Sequence, residues 1–554
     1  MAEKIIQKYG LTYLATCLIV LAYVGIANRD FYTRGEGREA IVAQEILKSG
    51  NWILPQAYSN DIPSKPPFMH WLITALSLPQ GEITEFTARL PSAIFYVLAT
   101  ILYFLFLRKH FNPKIALYTT IILGSTVEWY RSALGARVDM VFTALLLLGL
   151  LKLFDWSEDG LRKIPWQAIL FFALATLSKG PVAILLPALI FTAYLLLNRH
   201  SALKIIQCLM IVFFPAVLLS LCWYLAAYIQ GGDAFLHKFM NENIGRFLSN
   251  MDDEPHRHNV LYLWGTIPIG MLPWSFLLIP ALFVLFVRRR EISLEFKDYK
   301  NFKNFSLISI AVIIAFFSVP SSKRSVYLLP VYPFLAFYSA ILLEKLENSS
   351  TRLFSLIGKT AQYSAMVFFG LLAFICIDYS ALINYKVFSK PRYVFYLEEI
   401  NEALNELNWI GITLVFILLA YCTFLIFRKN FSLIKLSFLF VLLMGSIHYT
   451  LIRPYSNSLS PKLFAIQIKE KFPQTNNYYS YVNEFYALSF YLQQRIYRLK
   501  NADTYQEGLV FLFKNELEEL NKNYPEAKSI EMESKNNIEK PLKTLIAVKI
   551  TPDT

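Results

Sequence analysis

The stretch RDFYTRGEGREA, residues 29–40, packs three arginines and several carboxylates into twelve residues directly after the first apolar segment. Three more segments are charged in the same manner: IPSKPPFMHW (62–71), DAFLHKFMNENIGRFLSNMDDEPHRH (233–258) and PSSKRSVY (320–327). Asp139 opens an apolar run in GARVDMVF, and Lys179 stands in SKGP between two others. Glu36, Arg38, Lys65, Asp139, Lys179, Arg246, His256, Lys323 and Arg324 would all fall at one edge of a membrane. Cations gathered at one depth, with carboxylates among them, suit an anionic group at headgroup level. Arginine offers a fork to phosphate there and lysine a point charge. The anion at that depth is the phosphate of a lipid. For any one of these residues the ordinary reading is a side chain snorkelling to the headgroups. The set asks for more than an anchor.

A run of apolar segments must place these residues. Of 554 residues, 55% are hydrophobic and 17% charged, where soluble domains carry about 25% charged residues. Apolar segments fall at roughly 10–28, 87–107, 113–128, 138–154, 166–177, 181–197, 204–229, 262–287, 304–319, 326–343, 360–378, 408–427 and 432–450. They predict a polytopic α-helical membrane protein with about thirteen transmembrane helices. With the N-terminus in the cytoplasm, the inner loops are the basic ones: RKHFNPK (108–114), LRK (161–163), NRH (198–200), RRR (288–290) and RK (428–429). The net charge of +13 lies largely in such clusters, which argues for membrane orientation and against nucleic acid. The long outer loops are then about 29–86 and 230–260. Lys4 and Lys8 precede the first run as in a signal peptide. The following ANRDFY makes a poor cleavage site, so the run is read as a retained helix. The five cysteines lie in apolar stretches without a CxxC pair and read as small buried hydrophobes.

Residues 1–452 read as the membrane catalytic domain, and 453–554 as a soluble α/β domain exported by the odd helix count. In the latter, NNYYSYVN and LKTLIAVKI read as strands, while EFYALSFYLQQ and QEGLVFLFKNELEELNKN read as helices. Poor in the clustered charge of the outer loops, this domain is expected to be an accessory.

At the charged loops the sequence resembles a family. GEGREAIVAQEILKSGNWILP (35–55), SKPPFMHW and FTARLPSA (86–93) look like the first outer loop of the GT-C membrane glycosyltransferases. The nearest branch is the aminoarabinose transferases (ArnT), with the protein O-mannosyltransferases as relatives. The resemblance continues through ARVD (136–139), LSKGP (177–181), NENIGRF (241–247), HRH (256–258), GMLPW (270–274), SSKRSVYLLPVYPFLA (321–336) and YALSFYLQQRIYRL (486–499). It implies a polyprenyl-phosphate sugar donor, with undecaprenyl phosphate as carrier, used at the periplasmic face of a bacterial inner membrane. It implies lipid A or another envelope lipid, polysaccharide or protein as acceptor. Lys65 matches the lysine that holds the lipid phosphate, Tyr327 with Lys323 and Arg324 the last phosphate-facing turn, and Arg38 the arginine of the first loop. Lys179, Arg246 and Arg257 complete the donor-binding set, and Asp139 matches the acidic residue of the second loop. Two departures stand out. Gly35-Glu36 replaces the usual Asp-Glu, leaving Glu36 alone to serve. Ser64-Lys65-Pro66 replaces Glu-Lys-Pro, whose glutamate is a metal ligand in the resembling enzymes. His256 matches their histidine ligand and Glu242 is a weaker candidate, but Ser64 argues against a metal, and the cofactor stays open.

Transfer from a lipid phosphate needs stabilisation of the departing phosphate, which preorganised cations provide. A hydroxyl acceptor also needs a base, for which Glu36 and Asp139 are the candidates. A phosphate acceptor needs none, and either residue would then only position. A lipid or solute transporter is the main alternative, but transporters place ionisable residues near the midplane at a repeat interface. A non-catalytic scaffold for the exported domain would leave the boundary cations without a task.

Overall fold

In a computed structural model the described residues are 2–245, 258–259, 261–287, 300–349, 433–501 and 505–551, without 526, 528 and 540–542, plus short helical pieces within 354–371 and 416–424. Backbone groups in hydrocarbon must bond within their own segment, so the apolar stretches fold as helices. Among the described residues five are long and apolar enough to cross a membrane: Lys8–Ile26, Glu85–His110, Ala202–Asn243, Lys300–Ser318 and Ser325–Asn348. Counting two bent pairs as one span each raises this to seven. The protein is thus a mainly helical, multi-pass membrane protein.

The expected single span at 262–287 is one of those pairs, Leu261–Gly270 and Ser275–Val287, bent by 112°. Pro273 stands at the break, where it can offer no N–H to a continuing helix. The other bend, of 115°, lies between helices α6 (Val127–Ala133) and α7 (Val138–Glu158). It turns the chain so that Arg137 and Asp139 stand at the mouth of the bundle. The segments expected at 360–378 and 408–427 lie mostly outside the described residues.

Helix α1 (Ala2–Ile26) leads into α2 (Arg34–Ser49), which is too polar to span. Thr33 starts α2 by accepting the Glu36 amide at 3.3 Å, and Gly50, with φ of 69°, ends it in the left-handed conformation that glycine tolerates. Its inner face buries Ala40–Ala43 and Ile46, along with Glu36 and Glu39. Helix α3 (Phe68–Ser77) holds it from behind, Thr74 donating to the Ala43 carbonyl at 3.2 Å. Helix α4 (Glu85–His110) follows, begun by a reciprocal Thr84–Thr87 cap and ended by Arg108, Lys109 and His110 at its negative pole. Helix α5 (Pro113–Gly124) packs on α4, α8 (Trp166–Lys179) and α9 (Val182–Leu197) pack on α7, and α10 (Ala202–Met240) packs on α8 and α9.

Beyond residue 460 a five-stranded sheet runs in the order β2-β1-β3-β5-β4. Its strands are β1 (Tyr478–Ser480), β2 (Ile496–Arg498), β3 (Gly508–Phe513), β4 (Ser529–Asn537) and β5 (Thr544–Ile550). Strand β1 is parallel to β2 and β3, while β5 is antiparallel to β3 and β4. The stretch QEGLVFLFKNELEELNKN is not one helix as expected. Its first half is the central strand β3, buried at every position, followed by a 3-10 turn at Lys514–Glu516 and a short α-helix at Leu517–Asn523. A short continuous apolar run is what a strand covered on both faces requires, and periodicity alone does not separate it from a buried helix.

Candidate active site

Glu36 is 3% exposed at the start of α2. Its carboxylate accepts from Arg89 Nε at 2.7 Å and Nη2 at 3.3 Å, from Arg29 Nη2 at 3.2 Å and from the Ala136 amide at 3.3 Å. Burial alone would raise this carboxyl, but Arg89 and Arg29 hold it down to about 2. Burial in turn pushes the Arg29 guanidinium down to about 10, with Arg89 adding to the fall and Glu36 opposing it. So weak and so fully bonded a carboxylate does not take a proton near neutral pH. The expectation of Glu36 as a base gives way to Glu36 as a junction tying α2, α4 and the turn before α7.

Arg38 is also committed. Its Nε and Nη2 lie 3.2 and 2.7 Å from Glu39, whose other oxygen is 2.7 Å from His70 Nε2. Burial opposes ionisation of Glu39, yet Arg38 and His70 hold its carboxyl far below the usual range. Lys65 Nζ sits 3.4 Å from Glu242, whose charge also reaches Arg38. Arg38, Glu39, His70, Lys65 and Glu242 therefore make one group.

A cavity of about 210 Å³ opens at the head of α7, with Arg131, Arg137, Asp139, Tyr262, Lys323 and Arg324 in its wall. Asp139 lies 2.6 Å from Lys179 Nζ and 3.6 Å from Arg137 Nε. Lys179 also lies over the Tyr327 and Phe142 rings, at 5.3 and 5.0 Å. Expected as a phosphate ligand, Lys179 is the counter-ion of Asp139. Lys323 donates to the carbonyls of Pro320 at 2.5 Å and His258 at 3.2 Å, so it lends the cavity charge more than hydrogen bonds. Arg131 is paired with Glu128 at 2.6 Å. The Arg324 side chain makes no ion pair or hydrogen bond among the described residues. Burial lowers its guanidinium and neighbouring Arg137 lowers it further, a strain that an anion between the two would relieve. A second cavity, of about 330 Å³, shares Arg131, Gly135 and Arg137 with the first. Its wall includes the polar Arg29, Tyr32 and Glu36 and the apolar Met444, Ile447 and Ile452.

Asp139, Lys179, Lys323, Arg324 and Tyr327 are thus brought together, Glu36 lies next door, and Arg38 and Lys65 belong to the neighbouring group. Arg246, His256 and Arg257 lie outside the described residues. Of the candidate metal ligands, Glu242 is paired with Lys65 and His256 lies outside the described residues; no three His, Cys, Asp or Glu side chains converge among the described residues. Sequence reasoning missed Arg29, Arg89, Arg137, Glu39 and His70. Arg89 gave a signal, being an arginine inside an otherwise apolar helix.

Residues 64–228 match the family model described as dolichyl-phosphate-mannose-protein mannosyltransferase. An uncharacterized protein of Aquifex aeolicus is 29% identical over 61% of this chain and 65% of its own length. An undecaprenyl phosphate-alpha-4-amino-4-deoxy-L-arabinose arabinosyl transferase of Pseudomonas fluorescens is 26% identical over 70% of this chain and 67% of its own. The Pseudomonas aeruginosa enzyme of that description is 26% identical, and the chain spans 57% of its length. Among solved structures, ArnT from Cupriavidus metallidurans bound to undecaprenyl phosphate superposes with a TM-score of 0.71 at 18% identity, covering 98% of both chains. The architecture is that of the GT-C membrane glycosyltransferases. Within that class the likeness is to the ArnT aminoarabinose transferases, the branch that the loop motifs resemble.

Proposed function

We propose that the protein is a glycosyltransferase that moves a sugar from a polyprenyl phosphate, undecaprenyl phosphate in a bacterium, to an acceptor of the cell envelope, most simply lipid A or a related lipid. The carrying observation is the small cavity in which the Arg137 and Arg324 guanidiniums face one carboxylate, Asp139, at the head of α7. The phosphate lies between the two guanidiniums. As the bond from the anomeric carbon to the phosphate oxygen breaks, its electron pair passes to the phosphate, and fixed cations stabilise the growing charge. The acceptor oxygen forms the new bond to carbon. Where that oxygen is a hydroxyl, Asp139, kept ionised by Lys179 at 2.6 Å and Arg137 at 3.6 Å, positions it and its proton passes to the departing phosphate; where it is a phosphate, no proton moves. The reading includes about thirteen spans over residues 1–452, a cytoplasmic N-terminus, the reaction at the periplasmic face of the inner membrane, and a periplasmic domain at 453–554. A second reading, transfer to protein, is favoured by the protein-mannosyltransferase model that matches residues 64–228.

The full chain in lipid nanodiscs, given labelled undecaprenyl-phosphate sugars with either envelope lipids or envelope proteins, should move label to lipid. Label in protein would favour the second reading, and no sugar-dependent release of undecaprenyl phosphate would overturn both.

Lys65 stays in the proposed donor site through its group with Arg38. Lys65 pairs with Glu242 and is not in the wall of the Asp139 cavity, so Lys65→Ala should weaken undecaprenyl phosphate binding less than loss of Arg324 does, by no more than about 1 kcal/mol, the value of a screened charge. Unchanged affinity in a binding titration would reduce Lys65 to a partner of Glu242.

A further inference from the structure

Helix α2 touches the sheet-bearing unit along one face. Arg34, Gly37, Glu45 and Lys48, spaced as helix neighbours are, all meet residues 484–495. Arg34 Nη2 donates to Glu484 at 2.6 Å, and Lys48 Nζ to the Gln493 carbonyl at 2.7 Å. Arg495 binds Glu45. Glu484 is fixed by the Tyr486 hydroxyl at 2.8 Å and by Arg498, which also grips Asp61 with both Nη atoms at 2.9 and 2.6 Å. The buried Tyr58 accepts the Phe485 amide at 3.1 Å, and its ring lies 4.8 Å from that of Tyr486.

The closest approach is at Gly37. A Cβ there would lie 2.5 Å from the backbone nitrogen of Ala487 and 2.8 Å from its Cα, atoms that cannot swing aside. A Cβ on Gly35 would instead run into the Arg137 guanidinium. Both glycines sit inside a helix, so neither serves a turn. Their purpose is close contact on two sides, Arg137 of the cavity on one and Ala487 of the outer unit on the other. Glu36 and Arg38 flank Gly37 directly, so a displacement at Gly37 displaces both.

We propose that residues 484–498 are a positioning part of the active site: by seating Ala487 against Gly37 and tying down Arg34, Glu45 and Lys48, they set the depth and rotation of α2 and so of Arg38 and Glu36. The accessory role expected for this region is replaced by a direct one. The inference rests on the donor-site reading of α2, and its test separates the two. Full-length Gly37→Ala, Glu45→Arg, Arg495→Glu and the Glu45→Arg/Arg495→Glu swap are compared by backbone hydrogen exchange and by undecaprenyl phosphate titration. The exchange readout needs no donor. In Gly37→Ala and both single charge variants, exchange over 38–43 should speed at least several-fold while that of α7 holds, and donor affinity should fall at least about threefold. The swap should restore both. Unchanged exchange in α2 overturns the inference, as does faster exchange with unchanged donor affinity, which would make the contact a brace alone. Failure of the wild type to bind undecaprenyl phosphate overturns the donor reading, and exchange still reports whether the outer unit holds α2.

Discussion

Glu36→Gln is expected to inactivate the protein by loosening it. The substitution keeps the shape but leaves the Arg29 and Arg89 guanidiniums buried around a neutral amide. Removing one partner of a buried ion pair costs roughly 3–5 kcal/mol. The linkage sign agrees. The Glu36 carboxyl falls from 4.5 to about 2 on folding, so its contribution is full above pH 4.5 and is lost as pH drops through about 2, a shift worth about 3 kcal/mol. Thermal unfolding in detergent should show a clearly lowered midpoint for Glu36→Gln. Between pH 5 and 9 the wild-type rate should show no limb belonging to Glu36. A variant of wild-type stability with turnover reduced by orders of magnitude would restore Glu36 as a base.

Arg324→Ala should behave in the opposite way. The Arg324 guanidinium has no hydrogen-bonding or ion-pair partner among the described residues, and burial together with Arg137 already disfavours its charge. Its removal should leave stability unchanged or slightly raised. Turnover, in contrast, should fall roughly 10²–10³-fold, the usual cost of losing one preorganised group that stabilises developing charge. Steady-state transfer kinetics with matched unfolding curves separate the two effects. A stable Arg324→Ala enzyme with wild-type turnover would remove the phosphate from this cavity.

What the sequence disclosed was charge at a boundary, because Asp139, Lys179, Lys323 and Arg324 stand at the ends of apolar runs where hydropathy makes them conspicuous. It could not disclose partners. Glu36 bonds Arg89 from 53 residues away, and Glu39 meets His70 across a helix pair; neither spacing follows a helical or strand period. Arg38 looked like a phosphate ligand because nothing in the sequence showed that neighbouring Glu39 would take its fork. Helix breaks were similarly hidden, since GMLPW sits in an unbroken apolar stretch and only its proline hints at the bend. The α2 helix was legible in EAIVAQEIL, whereas its contact with Ala487, some 450 residues on, was not.

The most direct test compares binding of undecaprenyl phosphate with that of undecaprenol, which has the same chain but no phosphate, to the full-length protein in nanodiscs. With Arg137 and Arg324 facing the cavity, the phosphate form should bind at least roughly tenfold more tightly, and the difference should vanish in Arg137→Ala/Arg324→Ala. Equal affinity for the alcohol in the wild type, or a phosphate preference that survives in the double variant, would contradict the account.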